Sequence, residues 1–108
     1  MANDFKNAQN VGVTSVATVY TAPAGKTSIL LELDLANTTS NVVEASVQIF
    51  DTSATTSAYI VKNAPVPAGG SLMVIAGQKI VLEPTDIVKV TATGAVDVVA
   101  AILEDVNP

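Results

Sequence analysis

The feature that most constrains this sequence is a series of short segments in which apolar and polar residues alternate, separated by turn-forming residues. A period of two places successive side chains on opposite faces of a strand. Frequent Val, Ile and Thr favour the same conformation, because β-branched side chains fit a pleated sheet. The 108 residues therefore predict one all-β domain, an antiparallel β-sandwich of about eight strands. Both jelly-roll and immunoglobulin-like strand orders fit this pattern.

The alternation also predicts which side chains face the core. In the run that ends at Leu35, one face carries Ile29, Leu31, Leu33 and Leu35. The run over residues 43–49 repeats the pattern after a turn at residues 36–41, so these two runs are expected to form a hairpin. Residues 1–10 are predicted to be an N-terminal arm, and residues 11–108 the sandwich. The remaining strands are predicted within residues 11–20 and at residues 58–62, 71–75, 79–82, 87–93 and 96–103.

The composition argues against several classes of function. Ten carboxylates face five lysines and no arginine, so contact with nucleic acid is not expected. The absence of cysteine and histidine excludes disulfides, thiolate metal sites and histidine-based catalytic triads. No apolar run approaches the ~20 residues that span a bilayer, and no signal peptide is recognisable, so synthesis in the cytoplasm is expected. A non-enzymatic protein without a cofactor or a membrane partner is predicted.

The segment Gly25-Lys26-Thr27 resembles the end of a phosphate-binding loop, but its context does not fit. That loop requires a glycine five positions before Gly25 and a helix after it. Position 20 is Tyr20, and the residues after Thr27 alternate as a strand. The segment from Pro23 is therefore predicted to be a turn in which glycine supplies an open conformation.

Other candidate sites rest on scattered groups. Glu83 and Asp86 could supply oxygen ligands to calcium, although a solvated acidic turn explains them better. Asn37 begins a glycosylation sequon and is interpreted as part of a turn. An enzyme with paired carboxylates would need Glu32 and Glu44 in one cleft. A saccharide-binding module would need an exposed cluster of Tyr20, Phe50 and Tyr59.

The last predicted strand is apolar on both faces. Its inward set is expected to be Val96, Val98, Ala100 and Ile102, yet the opposite set includes Val99, Ala101 and Leu103. A sandwich strand normally presents one polar face to water. Either the N-terminal arm covers this outer face or another subunit does. In the second case Val99, Ala101 and Leu103 would form the interface, with Phe5 of the arm as an anchor.

Several turn motifs on strands are similar to those of small virion structural proteins of tailed bacteriophages, common in phages of cyanobacteria and marine bacteria. The segments that carry the resemblance are VYTAPAGKT at residues 19–27, LDLANTT at residues 33–39, APVPAGGSL at residues 64–72, KIVLEPTD at residues 79–86 and VDV at residues 96–98. The resemblance implies a non-enzymatic β-sandwich that assembles on the particle. Pro84-Thr85 departs from the pattern, since a glycine is more usual before the aspartate.

The resemblance implies a virion component of either the head or the tail, and of these we expect a capsid decoration (cement) protein, a viral protein that contacts the major capsid protein and itself. A homotrimer follows by analogy with cement proteins at three-fold positions. A neck, tail or fibre-attachment component is the alternative within the class. The net charge of −5 favours the outer capsid surface or the tail over the DNA-filled interior, because like charges repel.

Overall fold

The chain folds into two facing four-stranded sheets in the computed structural model, which describes residues 3–106. The strands are β1 (Asp4–Val13), β2 (Ala17–Thr21), β3 (Ser28–Asn37), β4 (Val43–Asp51), β5 (Thr56–Val66), β6 (Ser71–Leu82), β7 (Ile87–Ala92) and β8 (Val96–Glu104). The first sheet has the order β1-β8-β3-β6 and the second the order β2-β7-β4-β5. All neighbours are antiparallel. The predicted all-β sandwich of eight strands is confirmed.

The strand order is that of a jelly roll, one of the two orders that the sequence left open. Only β4 and β5 are neighbours both in sequence and in a sheet. The predicted hairpin between the runs now seen as β3 and β4 is wrong, because β3 pairs with β6 and β8 while β4 pairs with β5 and β7. Each of the two strands has one apolar face, and placing them in opposite sheets turns both faces toward the core.

The core is built from the inward faces of both sheets and contains mostly Val, Leu, Ile and Ala. The predicted inward set of β8, which is Val96, Val98, Ala100 and Ile102, is buried. In β3 the prediction is partly wrong: Leu33 and Leu35 are buried, but Leu30 takes the inward place expected for Leu31 and Ile29. A bulge between Leu30 and Glu32 inserts one extra residue and reverses the alternation.

Two strand boundaries also differ from the expectation. Residues 71–75 and 79–82 belong to one strand, β6, which continues through an irregular stretch in which Gly77 and Lys79 have φ values of 111° and 47°. Residues 4–10, predicted to be part of an arm, form most of β1 and pair with β8. Residues 1–2 lie outside the described part of the chain. The predicted and observed numbers of strands are both eight, because two predicted strands merge into β6 while the N-terminal region forms two strands, β1 and β2, in place of one.

The turn before β3 has the predicted conformation. The amide of Lys26 donates to the carbonyl of Pro23 at 3.3 Å, and Gly25 has a φ of 75°. A strand follows at Ser28 in place of a helix. This segment thus lacks the helix N-terminus that a phosphate-binding loop uses.

A second glycine is required by close packing. A Cβ on Gly94 would lie 2.6 Å from Cγ1 of Val43, well inside van der Waals contact. The turn that enters β8 therefore packs its backbone directly on the start of β4. Because Gly94 has no Cβ, this loop can pack against the second sheet.

The turn between β6 and β7 contains a strained residue, and its replacement is expected to stabilise the protein. Thr85 has a φ of 69°, a left-handed conformation that costs a residue with a branched Cβ roughly 1–2 kcal/mol. We expect Thr85→Gly to raise the free energy of unfolding by about 1 kcal/mol, because glycine adopts this conformation without a Cβ clash. Thermal unfolding of the variant measures the gain. Thr14→Gly, at an exposed position without positive φ, is the control and is expected to lower stability.

Candidate functional site

Much of the outer surface of the first sheet is apolar, with Asn7 and Gln9 of β1 as polar residues along its edge. One row of cross-strand neighbours runs Phe5, Leu103, Ile29 and Val81 across all four strands. A second row contains Val99 and Met73 on either side of Asp34. We call this surface the apolar face; it consists of Phe5, Ile29, Glu32, Asp34, Met73, Val81, Val99, Ala101 and Leu103.

The structure brings together the four interface residues expected from the sequence. Phe5 is the direct cross-strand neighbour of Leu103, and Val99 and Ala101 follow on the same side of β8. Phe5 is 77% exposed and Val99 is 49% exposed. β1 lies beside β8 as an edge strand, so it leaves the outer side of β8 open. Residues 4–10 therefore do not support the explanation that the N-terminal arm covers the outer face of the doubly apolar strand.

Sequence reasoning missed the contribution of β6 to this face. Met73 is 69% exposed and Val81 is 61% exposed. The available signal was the apolar character of both faces of the run at residues 71–82. Gly77 suggested a turn, so this run was predicted to be two separate strands.

Two carboxyl groups interrupt the apolar face near its centre. Glu32 and Asp34 lie two residues apart on β3, which is an inner strand of the sheet. The neighbouring carboxyl of Asp34 raises the pKa of Glu32, because it accepts a hydrogen bond from the protonated form and repels the charged one. Oδ1 of Asp34 is buried and has no hydrogen-bond partner among residues 3–106. Most buried polar atoms in native structures have a hydrogen-bond partner in protein or ordered water, so this oxygen is available to a donor.

The outer surface of the second sheet has the opposite character. Nζ of Lys89 lies 5.0 Å from the ring centroid of Phe50, and Nζ of Lys62 lies 5.2 Å from that of Tyr59. Lys89 and Tyr59 are both cross-strand neighbours of Gln48. We call this surface the lysine face; it consists of Gln48, Phe50, Tyr59, Lys62, Ile87 and Lys89.

A polar network closes one end of the sandwich and links the two sheets. The hydroxyl of Tyr20 on β2 donates to Oε2 of Glu104 on β8 at 2.6 Å, and lies 3.2 Å from Oγ of Ser28. Nζ of Lys6 lies 2.8 Å from Oε1 of Glu104. Hydrogen bonds from Lys6 and Tyr20 lower the pKa of Glu104. Burial, together with the bond to Glu104, raises the pKa of Tyr20 to about 12.

The acidic turn considered for calcium gains a third carboxylate. Oxygen atoms of Asp51, Glu83 and Asp86 lie within 4.8 Å of one another. The oxygens of Asp86 accept from the amides of Thr52 at 3.3 Å and Glu83 at 3.0 Å.

Asp51 also serves the local fold. Its Oδ1 accepts from the hydroxyl of Ser53 at 2.8 Å and from the amides of Ser53 and Ala54, which lowers its pKa. These carboxylates are the groups that could contact a hard cation. The observed partners of Asp51 and Asp86 explain these two carboxylates as stabilisers of turns.

The other candidate residues are not assembled into one site. Glu32 and Glu44 lie in different sheets, so they do not form a carboxylate pair. Tyr20 directs its hydroxyl to Glu104, whereas Phe50 and Tyr59 lie on the lysine face. The three-aromatic cluster expected of a saccharide-binding module is therefore not formed.

Comparisons with known proteins give a fold relationship. No protein-family model and no curated protein matches the sequence. A solved structure from work on Bacillus endospore appendages, described as a novel family of disulfide-linked pili, superposes with a TM-score of 0.55. The two chains share 14% sequence identity, and the match covers 98% of this chain and 88% of the other. This similarity concerns the fold, and no helix among residues 3–106 has the length and apolarity needed to cross a bilayer.

Proposed function

We propose that this chain is a non-enzymatic structural subunit of a tailed-phage virion, a capsid decoration protein that associates with itself and with the major capsid protein. The observation that carries the proposal is the apolar face. Its exposed Phe5, Met73, Val81 and Val99 lie together on one sheet surface. Exposed apolar patches of this kind are typical of protein interfaces. The motif resemblance in the sequence supports the phage assignment.

The fold relationship is compatible with a structural role. The chain of similar fold comes from work on endospore appendages described as disulfide-linked pili. The disulfide links named for that family have no counterpart here, since this chain contains no cysteine. Association of this chain would therefore rest on non-covalent burial of surface, worth about 25 cal/mol per Å² of apolar area.

The native mass of the purified protein at micromolar concentration tests the proposal. We expect an assembly of the 11.0-kDa chain, a homotrimer if it decorates three-fold positions. Val99→Lys should reduce the assembly to monomers because a charge on the apolar face must be desolvated in the contact. Val16→Lys is the matched control, because Val16 is exposed outside both faces. A ring of six or twelve subunits would favour the neck or tail, and a monomer that also fails to bind phage heads would contradict the proposal.

A further inference from the structure

We propose that the apolar face of one copy docks on the lysine face of the next, so that Lys62 and Lys89 meet Glu32 and Asp34. This inference rests on the self-association in the proposed function and names the two surfaces that meet. The occupant of the apolar face is accordingly a second copy of this chain.

Charge complementarity is the first argument. Of the five lysines, Lys6 pairs with Glu104 and Lys26 with Asp105, at 2.8 and 3.8 Å. The other three, Lys62, Lys79 and Lys89, form no ion pair within residues 3–106. Two of these three lie on the lysine face. One outer surface thus presents two lysines without an ion pair, with Glu44 at the far end of the same sheet, and the opposite surface presents a carboxyl pair.

The unsatisfied oxygen of Asp34 is the second argument. Asp34 lies between Val99 and Met73, so its carboxyl group is held among apolar neighbours. Covering it with another apolar surface would leave a carboxylate without partners, which is costly. A lysine from the neighbouring copy supplies both a donor and the opposite charge. The lysine face also carries Phe50, Tyr59 and Ile87, which can cover the surrounding apolar side chains.

A two-fold contact between two apolar faces is disfavoured by the same groups. It would bring two Glu32–Asp34 pairs, each near the centre of its face, into one desolvated contact. A contact between unlike faces avoids this repulsion and is heterologous; because the two faces lie on opposite sides of the sandwich, its repetition produces an open stack or a wide ring. The molecule measures 44 × 27 × 21 Å, so each face can supply the roughly 800 Å² per partner of a standard interface.

The test uses two variants that each damage one face. Val99→Lys alters the apolar face by placing a positive charge opposite the partner's lysines, and the double variant Lys62→Glu/Lys89→Glu alters the lysine face. We expect each variant alone to be monomeric, with association weakened about tenfold or more. Mixed in equal amounts, they should form a discrete one-to-one complex, because one supplies an intact lysine face and the other an intact apolar face. Native mass spectrometry identifies this complex, with Val16→Lys as the control.

The outcomes separate this inference from the proposed function. If the wild type assembles and the double lysine variant assembles equally well, the lysine face is not the partner and the inference is overturned alone. If both variants are monomeric but the mixture forms no complex, the inference is likewise overturned. A wild type that remains monomeric contradicts both the inference and the proposed self-association.

Discussion

Asn37→Ala is expected to destabilise the protein by about 3 kcal/mol, because several buried polar groups lose their partners together. Asn37 ends β3 and is 2% exposed. Its Nδ2 donates to the carbonyls of Asn41, Val66 and Pro67 at 2.7, 3.0 and 3.1 Å. Its Oδ1 accepts from the amide and hydroxyl of Thr39 at 2.9 and 2.8 Å. The side chain thus ties the crossing from β3 to β4 to the turn after β5.

Thermal and denaturant unfolding measure the effect, which corresponds to a fall of roughly 10–20 °C in Tm for a domain of this size. Asn41→Ala is the matched control, since Asn41 is exposed and contributes its backbone carbonyl. Asn37→Asp distinguishes the contribution of the Nδ2 donor from that of the Oδ1 acceptor. It keeps the acceptor for Thr39 but faces three carbonyls with a carboxylate, so it should be more destabilised at neutral pH than in acid. Equal stability of Asn37→Ala and Asn41→Ala would contradict this account.

Tyr20→Phe is expected to cost about 2 kcal/mol at pH 7, because it removes a hydrogen bond to the charged carboxylate of Glu104. The pH dependence has two limbs. The pKa of Glu104 is lowered in the folded protein, so its contribution is present above the unfolded pKa and is lost as pH falls through the folded one. The pKa of Tyr20 is raised from 10.0 to about 12 in the folded protein. Its contribution to stability is therefore fully present below pH 10.0 and is lost as pH rises from 10.0 through about 12.

Urea unfolding between pH 3 and pH 12 tests both limbs. Tyr20→Phe should lose the part of the alkaline decline in stability that is due to Tyr20. It should reduce the loss of stability in acid without abolishing it, because Lys6 still stabilises the Glu104 carboxylate. Tyr59→Phe is the control, since its exposed hydroxyl makes no hydrogen bond among the described residues. A pH profile of Tyr20→Phe that parallels the wild type would show that the network does not couple stability to pH.

Local alternation was sufficient for the strand type and for the inward set of β8. The extra residues of the bulges beside β8 lie on β1 and β3, so the faces of β8 itself follow directly from the period of two. The same rule failed at Leu31. The extra residue of a bulge becomes visible only against the partner strand, and β3 pairs with strands far away in sequence. The hairpin expected between β3 and β4 failed for the same reason, since alternation identifies a buried face but not the sheet to which it belongs.

The candidate face could be predicted only in part. Val99, Ala101 and Leu103 were recognised because both sides of one strand were apolar. Their extension to β6, and the position of the lysine face on the other side of the sandwich, depend on the jelly-roll strand order. The Glu32–Asp34 pair was visible as two carboxylates on one strand, but its apolar surroundings arise from β6 and β8.

The bulges have a consequence for how copies of this chain can meet. The four edge strands are β1, β2, β5 and β6, and each has at least one register shift against its neighbour. An irregular edge is a poor template for an added strand. Pro65 also removes a donor from the β5 edge. Edge-to-edge strand pairing between copies is therefore disfavoured at high local concentration. Contacts between the outer surfaces of the sheets then determine how the copies assemble.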